Sequence, residues 1–232
     1  MMLRSISKYK LYLYISFFIF LSSIFNFKFL ESFKDKFSLN EITLSGISQK
    51  EKKIIENELN NLRNTNIFKL NKNKVLETIN KFKFLENVYV NKIMPSTIHI
   101  DLSSTSILGK TLIDGEIFFI GKNGKFINSN QIFENNIVPM VYGDFKIKEF
   151  LKIYNTLYSN HLEITQIEKY YYFKNKRWDI LFSNGTTLKL PSQKLEDSVK
   201  IYKKLLDDDN FINIKIVDLR VTDQIILTNK NE

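Results

Sequence analysis

The chain has 232 residues, no cysteine, a net charge of +9 and a hydrophobic content of 44%. The absence of cysteine excludes a disulfide-stabilised fold, and the hydrophobic content excludes wholesale disorder. Only four of the 34 basic residues are arginine, and the lysines are scattered along the chain. The charge therefore does not indicate a nucleic-acid interface, because such surfaces favour clustered arginine.

An apolar and aromatic run from Leu11 to Phe27 follows a short basic tail. Extended to Leu30, the run is long enough for a membrane-spanning helix, which needs roughly 17 to 25 residues. A cleaved signal peptide is the alternative, but the chain has no alanine to provide the small residues of a cleavage site. We therefore predict a cytoplasmic tail at 1–10, a retained transmembrane helix at 11–30 and a linker at 31–36.

The orientation of this helix is not decided by charge. Three basic residues lie near each end of the run, so the excess of lysine and arginine that marks the cytoplasmic side is tied. The shortness of the tail favours a cytoplasmic amino terminus, with the bulk of the chain exported.

Residues 37–103 are predicted to follow the order strand, helix, helix, strand, strand. Ser48 and Glu51 have the spacing of a capping box at the start of the first helix, and Asn71 has the pattern of an N-cap before the second. Strands are expected at Phe37–Leu44, Leu85–Ile93 and Thr97–Leu102, the last two joined by a turn at Met94–Ser96.

Residues 104–228 differ from the first domain in their sequence pattern. This pattern predicts a second mixed domain with helices and an antiparallel-rich sheet. Asp114-Gly115 and Asn123-Gly124 are turn dipeptides between short apolar runs, which indicates a meander. Helices are expected at Ile147–Tyr158 and from Pro191-Ser192 to Leu206. Further strands are expected at Ile164–Phe173, Trp178–Phe182, Thr186–Leu190, Ile212–Leu219 and Ile225–Leu227, before a polar tail at 229–232. The fold class is α+β.

A search for reactive groups identifies no catalytic, cofactor-binding or metal-binding residue. His99 and His161 have no second ligand at metal spacing beside them. Gly121–Lys125 pairs glycine with lysine, but it lies in a predicted hairpin with no helix after it, so it does not form a phosphate loop. The chain is therefore predicted not to be an enzyme.

The final strand indicates a function by binding to a partner protein instead of catalysis. An edge strand carries a row of unpaired amides and carbonyls to which a partner's extended segment can add. Ile225–Leu227 is the candidate, since it is the last strand of the chain. An ordinary final strand shielded by its neighbours is an equal alternative from the sequence alone.

Several motifs, in their order along the chain, resemble those of a known protein family. The motifs of the first domain are Leu44-Ser45-Gly46, Asn66–Asn71, Leu85–Val90 and Met94–Ile100, and those of the second are Trp178–Pro191 and Val217-Asp218-Leu219-Arg220. Together they resemble a POTRA domain followed by the distal domain of the bacterial FtsQ/DivIB cell-division family. The chain departs from the family pattern at Met94, Ser103–Ser106, Val221 and Gln224.

The resemblance implies a non-enzymatic scaffold of the division septum in the bacterial inner membrane. It implies binding of the division proteins FtsB and FtsL through strand addition at the last sheet edge, with no cofactor, nucleic acid or small-molecule substrate. The implied partner-binding residues are Arg177, Arg220, Val221, Thr222, Asp223, Gln224, Ile225, Ile226 and Leu227. The alternative is a POTRA-containing component of outer-membrane protein assembly or secretion, which the single POTRA-like unit disfavours.

Overall fold

The computed structural model describes residues 8–24, 34–132, 137–207, 214–221 and 224–229. The chain divides into two compact units. The first unit runs to Lys81 and resumes at Asn87–Ser103, and the second comprises Phe82–Glu86 and the chain from Ser104 onward. Each unit has its own sheet.

The first helix, α1, is Lys8–Ile24. Its side chains from Lys8 to Ser23 are exposed. Within the described residues, no helix combines the length and the apolar character that crossing a membrane requires. The predicted span continued to residue 30, and residues 25–30 lie outside the described part of the chain.

The first unit has the predicted order of elements. Its three-stranded sheet has the order β1-β3-β2, with β1 parallel to β3. The bounds of these elements are β1 Glu41–Ser45, α2 Gln49–Leu59, α3 Lys72–Ile79, β2 Leu85–Ile93 and β3 Thr97–Ser104. The α+β class and the POTRA-type arrangement predicted for this region are confirmed.

The helix starts of this unit follow from local capping. The Ser48 side chain accepts a hydrogen bond from the Glu51 amide, and the Glu51 carboxylate accepts one from the Ser48 amide, so the capping box is confirmed. The Asn71 side chain accepts from the Asn73 amide at 2.9 Å, which confirms the N-cap of α3. The helices bury Ile55 and Val75 on their inner faces.

The prediction that the first strand begins at Phe37 is wrong. β1 begins at Glu41, because the preceding residues pair elsewhere. The Leu39 amide donates to the Thr65 carbonyl at 2.8 Å, and the Leu39 carbonyl accepts from the Asn64 amide at 3.0 Å. These bonds hold the fully buried Leu39 side chain away from the sheet ladder.

The second unit contains a mixed sheet whose described strands have the order β12-β11-β10-β9-β8-β7-β4-β5-β6. The bounds are β4 Ile107–Ile113, β5 Glu116–Gly121, β6 Phe126–Asn128, β7 Met140–Tyr142, α4 Ile147–Ser159, β8 Ile167–Tyr172, β9 Trp178–Phe182, β10 Thr187–Lys189, α5 Leu195–Leu206, β11 Ile214–Asp218 and β12 Ile226–Asn229. The predicted meander of β4, β5 and β6 is confirmed as an antiparallel ladder.

The core of this unit lies between the sheet and the helices α4 and α5. Phe150 and Val199 from the helices are fully buried and belong to one apolar cluster with Tyr170, Ile180 and Leu188 from the sheet. Removing side chains of this size from water stabilises a fold by roughly 1.5 to 3 kcal/mol each. The alternate residues of β9 and β10 point to the opposite face of the sheet, and the charged residues of these two strands lie on that face.

Two predicted boundaries in this unit are corrected. The helix expected to open at Pro191-Ser192 begins at Leu195, because Lys194 has a left-handed backbone with φ +52° that a helix cannot contain. The strand expected from Ile164 begins at Ile167, after a 3₁₀ turn at Ile164–Gln166.

Candidate partner-binding site

Strand β12 forms one edge of the second sheet. It pairs antiparallel with β11 in a register that sets Ile226 opposite Asp218 and Leu227 opposite Val217. Since β12 ends the strand order of the described sheet, one row of its amides and carbonyls has no ladder partner within the described chain. The exposed fraction is 45% for Ile225, 49% for Ile226 and 37% for Leu227, so the edge also presents apolar side chains.

A groove of about 750 Å³ runs beside this edge. The start of α5 forms one wall, with Lys194 and Ile201, and the loop from β11 to β12 forms the other. Of the predicted partner-binding residues, those that line the groove are Arg177, Arg220, Val221, Gln224, Ile225 and Ile226. Leu227 lies on β12 but not in the groove lining, and Thr222 and Asp223 fall outside the described residues.

Arg220 is held by Asp218, two residues before it. The Arg220 Nε donates to Asp218 Oδ1 at 2.7 Å, and its Nη2 donates to Oδ2 at 2.5 Å. The Arg220 amide also donates to Asp218 Oδ1 at 3.0 Å. Burial alone raises the pKa of Asp218, but the hydrogen bonds from Arg220 outweigh it and hold that pKa below its usual value.

Arg177 is held in another way. Its guanidinium lies over the ring of Phe173, with Cζ 4.5 Å from the ring centroid, which is a cation–π contact. Its Nε lies 4.0 Å from Asp179 Oδ1, too far for a hydrogen bond, and neither atom has another partner in the described part of the chain. Burial raises the pKa of Asp179, against the opposing effect of the Arg177, Lys189 and Arg220 charges.

The register of the sheet connects the two arginines through a row of charged residues. Lys189 on β10 is opposite Asp179 on β9 and also opposite Asp218 on β11. Side chains that are opposite one another in a sheet point to the same face, so the two carboxylates flank one ammonium group. We call Arg177, Asp179, Lys189, Asp218 and Arg220 the charge ladder.

The resemblance implies both arginines as site residues, but it includes Asp218 only as part of the Val217–Arg220 motif and does not single out Asp179. Asp179 is only 8% exposed, and it lies in the run Trp178–Phe182, whose other residues are apolar. An ionised side chain within a buried strand is unusual unless it is paired. That contrast was the available signal for Asp179.

The groove combines features that recognise one kind of ligand. Exposed Ile201, Val221 and Ile225 supply apolar contact area, with exposed fractions of 40%, 48% and 45%. The ladder supplies cations, and β12 supplies main-chain hydrogen-bonding groups. An extended polypeptide segment with acidic and apolar side chains fits all three features.

A second polar cluster lies on the sheet of the first unit. His99 Nδ1 is 2.8 Å from Thr43 Oγ1, and His99 Nε2 is 3.1 Å from Asp101 Oδ1 and 3.3 Å from Ser45 Oγ. The Ser45 hydroxyl also donates to Asp101, and that bond is the main cause of the lowered pKa of Asp101.

This cluster does not have the geometry of a catalytic triad. In the Ser-His-Asp triad the carboxylate binds Nδ1 of the imidazole and the nucleophile binds Nε2. Here Asp101 and Ser45 share Nε2, while Thr43 takes Nδ1. The described residues also contain no group of three or more side chains that could hold a metal ion.

Comparison with known proteins assigns both units. Residues 37–103 match the sequence profile of the FtsQ-type POTRA domain, and residues 112–220 match that of the C-terminal region of the cell-division protein FtsQ/DivIB. The two matched segments together include the first sheet, the groove arginines and the start of the groove loop.

Individual relatives agree with these matches. Cell division protein FtsQ of Rickettsia bellii is 26% identical over 192 residues, which cover 79% of this chain and 69% of the relative. FtsQ of Rhizobium meliloti is 22% identical over 191 residues, covering 81% and 62%. Cell division protein DivIB of Clostridium botulinum is 26% identical over 120 residues, covering 50% and 47%.

Proposed function

Because the chain belongs to the FtsQ/DivIB family of cell-division proteins, we propose that it is a non-enzymatic scaffold of the divisome. In this proposal it binds the division proteins FtsB and FtsL during septum formation. The single observation that carries the proposal is the outer side of β12 beside the groove, which has no ladder partner within the described residues.

The partner adds a strand to β12. Strand addition draws its affinity from main-chain hydrogen bonds and its specificity from the pockets that receive alternate side chains. Ile225 and Ile226 provide apolar contacts at the edge, and the groove arginines receive acidic side chains of the partner. Thr222 and Asp223 stay predicted partner-binding residues, and they lie outside the described residues.

The chain is held at the inner membrane by a single anchor at residues 11–30, with its amino terminus in the cytoplasm. The support for this is the apolar composition of the run, of which α1 covers the first part. The two units then work outside the cytoplasm. A fluorescent fusion of the full chain is expected at midcell in dividing cells, and a uniform envelope signal contradicts the assignment.

A proline in β12 tests the strand-addition step. Ile226→Pro removes a backbone donor and restricts the backbone at the edge strand, so co-purification of FtsB with the full chain is expected to be lost. Ile226→Ala is the matched control, because it shortens the same exposed side chain and keeps the amide.

The control is expected to retain FtsB to within a few-fold of the wild-type amount. Thermal unfolding of both variants checks that the second unit is folded. If a folded Ile226→Pro variant retains FtsB at the wild-type level, strand addition at β12 is wrong.

A further inference from the structure

The two carboxylates of the charge ladder are alike in chemistry and differ in their contacts. Asp179 and Asp218 are both opposite Lys189, and their exposed fractions are 8% and 7%. Asp218 makes hydrogen bonds to the side chain and to the main chain of Arg220. Among the described residues, Asp179 Oδ1 has no hydrogen-bond partner, and it lies 4.0 Å from Arg177 Nε, which has none either.

Asp218 fixes the direction in which Arg220 points. Its two oxygens hold Nε and Nη2, which leaves the Nη1 end of the guanidinium for a second carboxylate. A free arginine loses much rotamer freedom when it binds, and a side chain that is already held loses less. The bond to the Arg220 amide also fixes the backbone where the chain leaves β11 for the groove loop.

Asp179 does not direct Arg177. The guanidinium of Arg177 is located by the ring of Phe173 instead, and the distance to Asp179 is too long for a hydrogen bond. What Asp179 does contribute is a negative charge in a partly desolvated position next to Arg177. A charge in such a position is weakly screened, so it opposes the approach of a partner's carboxylate.

Resting on the proposed function, we infer that Asp218 is a positioning residue that presents Arg220 to an acidic side chain of the partner, whereas Asp179 weakens the binding of that partner through its charge. The same isosteric substitution at these two positions therefore has opposite effects on affinity. This difference separates a positioning role from a general effect of charge near the groove.

The test measures the affinity of the full chain, purified in detergent, for the soluble part of FtsB from the same organism. Asp218→Asn is expected to weaken binding about three- to tenfold, because a neutral amide no longer holds the guanidinium at two points. Asp179→Asn is expected to strengthen binding by up to about threefold, because it removes a repelling charge.

Kinetics and a second background distinguish the two roles further. The loss in Asp218→Asn is expected in the dissociation rate, whereas the gain in Asp179→Asn is expected in the association rate and is expected to shrink at high salt. In an Arg220→Ala background, Asp218→Asn is expected to cause no further loss, because the side chain that it positions is absent. If Asp218 has only a structural role, Asp218→Asn lowers the affinity by the same factor in both backgrounds.

The outcomes separate the inference from the function on which it rests. If the wild-type chain does not bind FtsB, the proposed function is wrong and the inference falls with it. If the wild-type chain binds and both substitutions shift the affinity in the same direction, only the inference is wrong. If Asp218→Asn does not fold, Arg220→Lys takes its place, since lysine keeps the charge without bidentate pairing; unchanged affinity in that variant overturns the positioning role.

Discussion

At the scale of single residues, the core of the second unit contains a polar group that is not hydrogen-bonded to any described residue. The Tyr170 ring is fully buried and makes an edge-on contact with Phe150, but its hydroxyl has no hydrogen-bond partner in the described segments. Burial raises the pKa of this hydroxyl, since the ionised form is disfavoured inside the apolar cluster. The ring therefore stabilises the core, whereas the buried hydroxyl destabilises it.

Tyr170→Phe is expected to leave the second unit at least as stable, or to raise its free energy of unfolding by about 1 kcal/mol, because an unsatisfied buried group is removed. Tyr172→Phe is the matched control. The Tyr172 hydroxyl bonds Glu149, and burial together with that bond raises the pKa of Tyr172 to about 12. The control is expected to lose stability in urea unfolding. A loss of more than 1 kcal/mol in Tyr170→Phe contradicts this reading.

At the scale of elements, the start of α5 carries local strain at the wall of the groove. Lys194 has φ +52° with no side-chain capping bond, and its carbonyl accepts from the Ser198 amide at 3.1 Å. A left-handed conformation is unfavourable for any residue with a Cβ atom, and glycine adopts it freely. Glycine at position 194 would therefore relieve the strain and keep the hydrogen bond from the Ser198 amide to the carbonyl of residue 194.

Lys194→Gly is expected to raise the free energy of unfolding of the second unit by about 0.5 to 1 kcal/mol, because the left-handed penalty that glycine removes exceeds the extra conformational entropy that glycine loses on folding. Lys204→Gly, in the last turn of the same helix, is expected to lower it by up to about 1 kcal/mol, because glycine is a poor helix former. Chemical unfolding of the two variants checks the opposite signs. A loss of stability in both excludes strain at Lys194.

Elements with a strong local signal could be predicted from the sequence, and those that depend on neighbours could not. The starts of α2 and α3 were predicted because Ser48 and Asn71 cap within a few residues. Strand β7 was missed because its three residues, Met140–Tyr142, show no period and are fixed by parallel pairing with β8 and with Lys110 of β4. The late start of α5 was missed because the conformation of Lys194 has no sequence signal.

At the scale of the whole molecule, the candidate site was predicted only in outline. Arg177 and Arg220 are 43 positions apart in the printed sequence, and the register of β9, β10 and β11 brings them to one groove. The resemblance supplied both arginines. Asp218 is two residues from Arg220 and Asp179 lies within an apolar run, so both have a local signal; their shared neighbour Lys189 is set by pairing across strands, which no local pattern in the sequence encodes.

The ladder also predicts how stability depends on pH. The folded pKa of Asp218 is lowered from 3.8, so its stabilising effect is present above about pH 4 and is lost as the pH falls through the folded value. The folded pKa of Asp179 is raised from 3.8, so its stabilising effect is present below about pH 4 and is lost as the pH rises through the folded value.

At pH 7, Asp218→Asn is therefore expected to be less stable than the wild-type chain and Asp179→Asn more stable. The Asp218 difference is expected to shrink as the pH falls below about 4, towards the lowered folded pKa, and the Asp179 difference is expected to shrink as the pH falls towards about 4 from above, through the raised folded pKa. Thermal unfolding from pH 3 to pH 8 measures these curves. Parallel curves for the three proteins contradict the assigned directions.

Hydrogen exchange of the full chain with and without FtsB tests the central claim, that β12 receives a partner strand, most directly. The amides of Ile226–Asn229 are expected to exchange more slowly in the complex, because the outward-facing ones gain carbonyl partners. Strand β6, Phe126–Asn128, lies at the other end of the described sheet and is expected to be unchanged. Protection that is absent at β12 while FtsB is bound, or equal at both edges, contradicts the account.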